Sequence, residues 1–129
     1  MREPAIVWFR QDLRIADNPA LHAALQNHEC VIPVFIHSLT SSSQWEHGAA
    51  SRWWLHHSLA SLDSSLRELG SRLIIRTGDD SLSLMQQLIT ESKARHVYWN
   101  RLYEPHHIER DKAIKQALTD NGIEVNSSN

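Results

Sequence analysis

Short apolar runs alternate with longer amphipathic stretches along this chain. Ala5-Ile6-Val7-Trp8-Phe9 is a continuous apolar run of strand length, the pattern of a strand covered on both faces. Val31–Ile36, Leu73–Ile75 and His96–Trp99 read the same way, and Ile123-Glu124-Val125 begins a fifth strand. Pro33 interrupts the second run. Proline donates no ladder hydrogen bond, so a bulge or an unpaired amide is expected there. Between the runs the apolar spacing is helical. Leu21, Ala24 and Leu25 follow Asn18-Pro19, an N-cap with proline at the first helical position. Leu55, Leu59, Leu62, Leu66 and Leu69 recur at intervals of 4 and 3, an inward stripe on a helix that starts near Gly48 and stops at Gly70. Leu82, Met85 and Leu88-Ile89 mark a third helix, capped by Asp79 or Asp80. Ile108, Ile114, Ala117 and Leu118 are expected inward on a fourth, opened by Glu104-Pro105 and ended by Asn121-Gly122.

The resulting order, βαβαβαβαβ, predicts an α/β fold: a Rossmann-like three-layer α/β/α arrangement with a five-stranded parallel sheet, helices on both faces and right-handed crossovers. The 129 residues suit one domain, 1–129. The polar end, Asn126-Ser127-Ser128-Asn129, directly follows a nascent strand, so a longer protein of which this is the N-terminal part is expected. In such sheets ligands bind beyond the carboxyl ends of the strands, near the switch point. That directs attention to Arg10–Arg14, His37–Arg52, Thr77–Asp80 and Asn100–His107.

Composition narrows the chemistry. A net charge of −2 argues against a basic nucleic-acid footprint spread over this domain. The single cysteine, Cys30, excludes an internal disulfide framework and fits a reducing, cytoplasmic setting. No run of 18 apolar residues and no secretory leader are present, so no membrane partner is expected. Neither GxGxxG nor GxxxxGK[ST] occurs, nor GxSxG, which removes the usual phosphate loops and the nucleophile elbow. His56-His57 and His106-His107 are adjacent pairs. Helical neighbours point about 100° apart, so neither pair shares a face as i, i+4 ligands do, and no metal site is expected.

Trp8-Phe9-Arg10-Gln11-Asp12-Leu13-Arg14, then Asp17-Asn18 and Leu21, resembles the opening signature of the DNA photolyase/cryptochrome family. Gly70–Leu73 with Thr77-Gly78-Asp79, and Val97–Arg101 with Tyr103-Glu104-Pro105 and Arg110-Asp111, continue the resemblance over essentially the whole chain. It implies the antenna-binding α/β domain of a deoxyribodipyrimidine photolyase. That is a light-driven lyase, whose second, helical domain would bind FAD and split cyclobutane pyrimidine dimers in DNA. That domain is not in this sequence, so no catalytic residue is assigned here, and the fragment alone should be inactive. A cryptochrome photoreceptor is the first alternative and a stand-alone nucleotide-binding α/β module the second. DNA would be met through the helical domain, and a monomer is expected.

The antenna cleft implied by the resemblance takes its candidates from the strand ends. Arg10 is read both as cleft-lining and as a turn brace, Asp12 and Arg14 as braces. Arg52 matches a cleft arginine of deazaflavin-binding relatives, and its basic head suits an anionic planar ring. His37 and Ser38 follow the second strand, and Asn100, Glu104, His106 and His107 follow the fourth. Glu104 also suits capping of the last helix. Leu102 stands where deazaflavin-type relatives carry aspartate, and His106-His107 where folate-type relatives carry Asn-Glu. Methenyltetrahydrofolate is placed first as antenna, with deazaflavin or FMN open.

Overall fold

Strands and helices alternate strictly through the chain: β1 (Ala5–Phe9), α1 (Pro19–Asn27), β2 (Val31–Ser38), α2 (Ala49–Glu68), β3 (Ile74–Gly78), α3 (Ser81–Ser92), β4 (His96–Asn100), α4 (Pro105–Asp120) and β5 (Glu124–Ser128). The structure is a computed structural model. It describes residues 4–9, 18–38, 49–68, 70–78, 81–101 and 105–128, those at 37–38, 49–55, 81 and 105–107 by their backbone alone. The strands form one parallel sheet in the order β3-β2-β1-β4-β5. The order reverses at β1, so crossovers of one hand place α1 and α2 on one face and α3 and α4 on the other.

The alternation of side chains along each strand divides the core in two. Ala5, Val7 and Phe9 of β1, with Phe35 and Tyr98, pack under Ala20, Leu21 and Ala24 of α1 and Leu62 and Leu66 of α2. Ile6 and Trp8, with Val34, Ile36, Val97 and Trp99, pack on the other face against Met85 and Leu88 of α3 and Ile114 and Leu118 of α4. All five side chains of β1 are buried because it is central and covered on both sides.

Two glycines end helices where the backbone must turn left-handed. Gly70 (φ +85°) follows α2, with Ser71 N–H donating to the Leu66 carbonyl and Gly70 N–H to that of Arg67. Gly122 (φ +83°) repeats the motif after α4, through Ile123 to Leu118 and itself to Thr119. Asp63 ties α2 to the start of β3: its Oδ1 accepts from Leu73 N–H at 2.9 Å while Arg67 Nε donates to Oδ2 at 2.8 Å.

Four expectations need correction. The β1–β2 register runs unbroken through Val7–Pro33, so Pro33 makes no bulge; β3 pairs with β2 only from Val34 onward, and Pro33 lies just outside that flank. Leu73 is buried but precedes β3, which begins at Ile74. Leu25 is 54% exposed and Ile108 38% exposed, although both were expected to face inward. At about 100° per residue, the step of six positions from Ile108 to Ile114 leaves Ile108 roughly 120° away round the helix. Leu25 likewise sits about 90° from the centre of the Ala20, Leu21 and Ala24 face. The Asp79/Asp80 cap lies outside the described residues.

Candidate functional site

The sheet forks at its carboxyl end. β1 and β4 pair only from Ala5–His96 to Val7–Tyr98, whereas β1 stays with β2 as far as Phe9–Phe35 and β4 stays with β5 as far as Asn100–Ser128. The last two residues of β1 and of β4 therefore leave the shared ladder and follow their outer neighbours. This is the switch point, with α1, which follows β1, and α4, which follows β4, on opposite faces of the sheet.

Below the fork the core is closed. Trp8 and Trp99 meet edge to face, centroids 5.3 Å apart and planes at 89°, and both are buried. The Arg110 guanidinium of α4 lies over the Trp8 ring, 6.0 Å from its centroid, within reach of a cation–π attraction. Asp111 Oδ1 stands 3.9 Å from Arg110 Nε. The indoles are part of the packed core.

Asn100, the last residue of β4, crosses the fork toward α1. Its Nδ2 donates to Asn18 Oδ1 at 2.7 Å, and its Oδ1 accepts from Ala20 N–H at 2.9 Å. Asn18 caps α1 as expected, its Oδ1 accepting from Leu21 N–H at 3.1 Å, with Pro19 at the first helical position. On the outer side, Arg101 N–H donates to the Ser128 carbonyl at 2.7 Å and Arg101 Nε to Ser127 Oγ at 3.2 Å, which continues the β4–β5 union past the fork.

The other candidates take their places along the same edge by backbone position. His37 and Ser38 register with Thr77 and Gly78 at the carboxyl ends of β2 and β3. Arg52 lies in the first turn of α2, and His106 and His107 in the first turn of α4. Arg10 and Glu104, with Asp12 and Arg14, lie outside the described residues. Asn100 was singled out as a possible ligand contact; the structure gives its side chain partners in α1. Sequence reading missed this tie and the placement of Arg110 over Trp8. Residues 18 and 100 carry no spacing signal that could have linked them. Among the described residues no three His, Cys, Asp or Glu side chains gather to hold a metal ion, and no helix is long and apolar enough to cross a membrane.

A DNA photolyase family model matches residues 5–129. The chain belongs to the DNA photolyase family. Among curated members of that family, a deoxyribodipyrimidine photo-lyase of Agrobacterium fabrum is 48% identical over 124 residues, covering 96% of this chain and 25% of the relative. Cryptochrome-1 of Arabidopsis thaliana is 43% identical, covering 97% of this chain and 18% of that protein. Of solved photolyases, a bacterial class III photolyase from Agrobacterium tumefaciens superposes with a TM-score of 0.90 at 45% identity, over 99% of this chain and 26% of that one. An archaeal photolyase from Sulfolobus tokodaii, described with two FAD molecules and the implication of a novel light-harvesting cofactor, gives 0.85 at 32% identity, over 97% and 29%. This chain thus spans about a quarter of the length of the photolyases it matches.

Proposed function

We propose that this chain is the antenna-binding α/β domain, 1–129, of a deoxyribodipyrimidine photolyase that splits pyrimidine dimers with light and FAD. The fork between β1 and β4 is the observation that carries the reading. In doubly wound sheets the ligand crevice lies at such a fork, and Arg52, His37, Ser38, His106 and His107 are on elements that begin or end at this end of the sheet. A light-harvesting cofactor is implied for the archaeal photolyase that matches this chain, which supports an antenna here. Methenyltetrahydrofolate is the first choice, with deazaflavin and FMN as rivals. FAD and damaged DNA belong to the part of the enzyme outside these residues, and the net charge of −2 agrees with DNA being held elsewhere. A monomeric, cytoplasmic protein is proposed, the exposed free Cys30 being suited to a reducing setting.

The test is a titration with methenyltetrahydrofolate, deazaflavin and FMN, followed by absorbance. One of the three is expected to bind stoichiometrically with a shifted band, and binding by none overturns the antenna reading. Supplied with FAD, UV-damaged DNA and blue light, these 129 residues are expected to leave dimers intact.

The second reading is a cryptochrome photoreceptor, favoured by the 43% identity to the Arabidopsis protein. Repair of dimers by the full-length protein under blue light decides between the two.

A further inference from the structure

A helix that starts beside a switch point is where a doubly wound sheet takes a phosphate, because the first-turn amides have no partners within the helix. In α1 those amides are engaged. Pro19 has no N–H. Ala20 N–H donates to Asn100 Oδ1, Leu21 N–H to Asn18 Oδ1, and His22 N–H to the Asn18 carbonyl at 3.0 Å. Asn100 Nδ2 also donates to Asn18 Oδ1, so two amide side chains interlock over the helix start. Ala20 and Asn18 are buried, which keeps water from competing for these bonds.

We propose that Asn100 is a specificity-determining residue: its amide oxygen sits where a phosphate oxygen would, and it excludes phosphate from α1. The carboxamide satisfies the donor without bringing a charge into a buried place. A phosphate could enter only by breaking both bonds of Asn100 and with them the tie between β4 and α1. The fork thus selects against ligands anchored by a phosphate on α1, and any phosphate a ligand carries must be held elsewhere. The inference extends the antenna reading by naming the ligand class, but it concerns the α1 amides themselves and does not require an antenna.

The test is NMR on ¹⁵N-labelled protein titrated with inorganic pyrophosphate, and separately with ATP, as wild type and as Asn100→Ala. In the wild type the Ala20, Leu21 and His22 amide signals are expected to stay still into the millimolar range. In Asn100→Ala, Ala20 N–H should exchange with solvent about tenfold faster, the equivalent of one lost hydrogen bond, and its signal should move saturably with pyrophosphate. Saturable movement of these amides in the wild type overturns the proposal. So does an Asn100→Ala protein whose Ala20 neither exchanges faster nor responds to pyrophosphate. If Asn100→Ala does not fold, Asn100→Ser replaces it, and the wild-type arm stands regardless. Failure of every chromophore to bind, with the α1 amides silent to pyrophosphate, removes the antenna reading and leaves this one; phosphate on α1 with a chromophore bound does the reverse.

Discussion

The Nε2 of His28 and the hydroxyl of Tyr98 share a buried hydrogen bond of 3.1 Å, where the end of α1 covers β4. His28 is also the C-cap of α1, its backbone N–H donating to the Ala24 carbonyl at 2.9 Å. Its ring lies 4.6 Å from that of His96, whose Nδ1 approaches Glu124 Oε2 at 2.7 Å without hydrogen-bond alignment. This polar cluster joins α1, β4 and β5 near the amino end of the sheet, away from the fork.

Replacing Tyr98 by Phe leaves the His28 nitrogen without the hydroxyl in a buried place. The expected cost is about 1–3 kcal/mol, read from the urea midpoint at neutral pH. Ligand affinity at the fork should be unchanged, because the cluster is at the other end of the strands.

The same residue sets an alkaline limit. Burial pushes the Tyr98 hydroxyl above its ordinary value of 10.0; a hydrogen bond with Asn27 opposes this, and the charge of Glu124 adds to it more weakly. The folded state then holds a proton that the unfolded state releases. Stability is fully present below pH 10.0 and declines as pH rises from there toward the folded value. Denaturation at a series of alkaline pH values should show this decline in the wild type and a shallower one in Tyr98→Phe.

Asp63 sets an acid limit. The Leu73 N–H, then the Arg67 side chain, hold its carboxyl below the ordinary 3.8. Its contribution is present above pH 3.8 and is lost as pH falls through the lower, folded value. Asp63→Asn keeps an acceptor for Leu73 and should flatten this acid dependence. Asp63→Ala should lower the urea midpoint at neutral pH as well.

Leu118 and Ile108 lie on one helix and should respond differently. Leu118→Ala empties a site that is 1% exposed and should cost about 2–5 kcal/mol. Ile108→Ala, at 38% exposed, should stay within about 0.5 kcal/mol. Both are read by chemical denaturation.

The element order and both core faces were within reach of the sequence because β1 and β4 advertise them: five apolar residues in a row suit a strand buried on both faces, and Tyr98-Trp99 must part to opposite faces. The α1 cap was legible for the same reason, Asn18-Pro19 being a local signal. Ile108 and Leu25 misled because being apolar within a helix does not place a residue on its inner face; the angle from Ile114, or from the centre of the Ala20, Leu21 and Ala24 face, does. The Asn100–Asn18 tie was invisible because it depends on which strand becomes the neighbour of β1, and that is settled by the sheet as a whole.

That tie spans 82 positions of sequence. The first turn of α1 therefore cannot complete its hydrogen bonds until β4 has been made and has docked beside β1. A chain growing from its N-terminus holds α1 in an unfinished state through the synthesis of β2, α2, β3 and α3. Long-range closure of this kind slows folding, and α1 is expected to gain its final protection late, together with β4 rather than with β1.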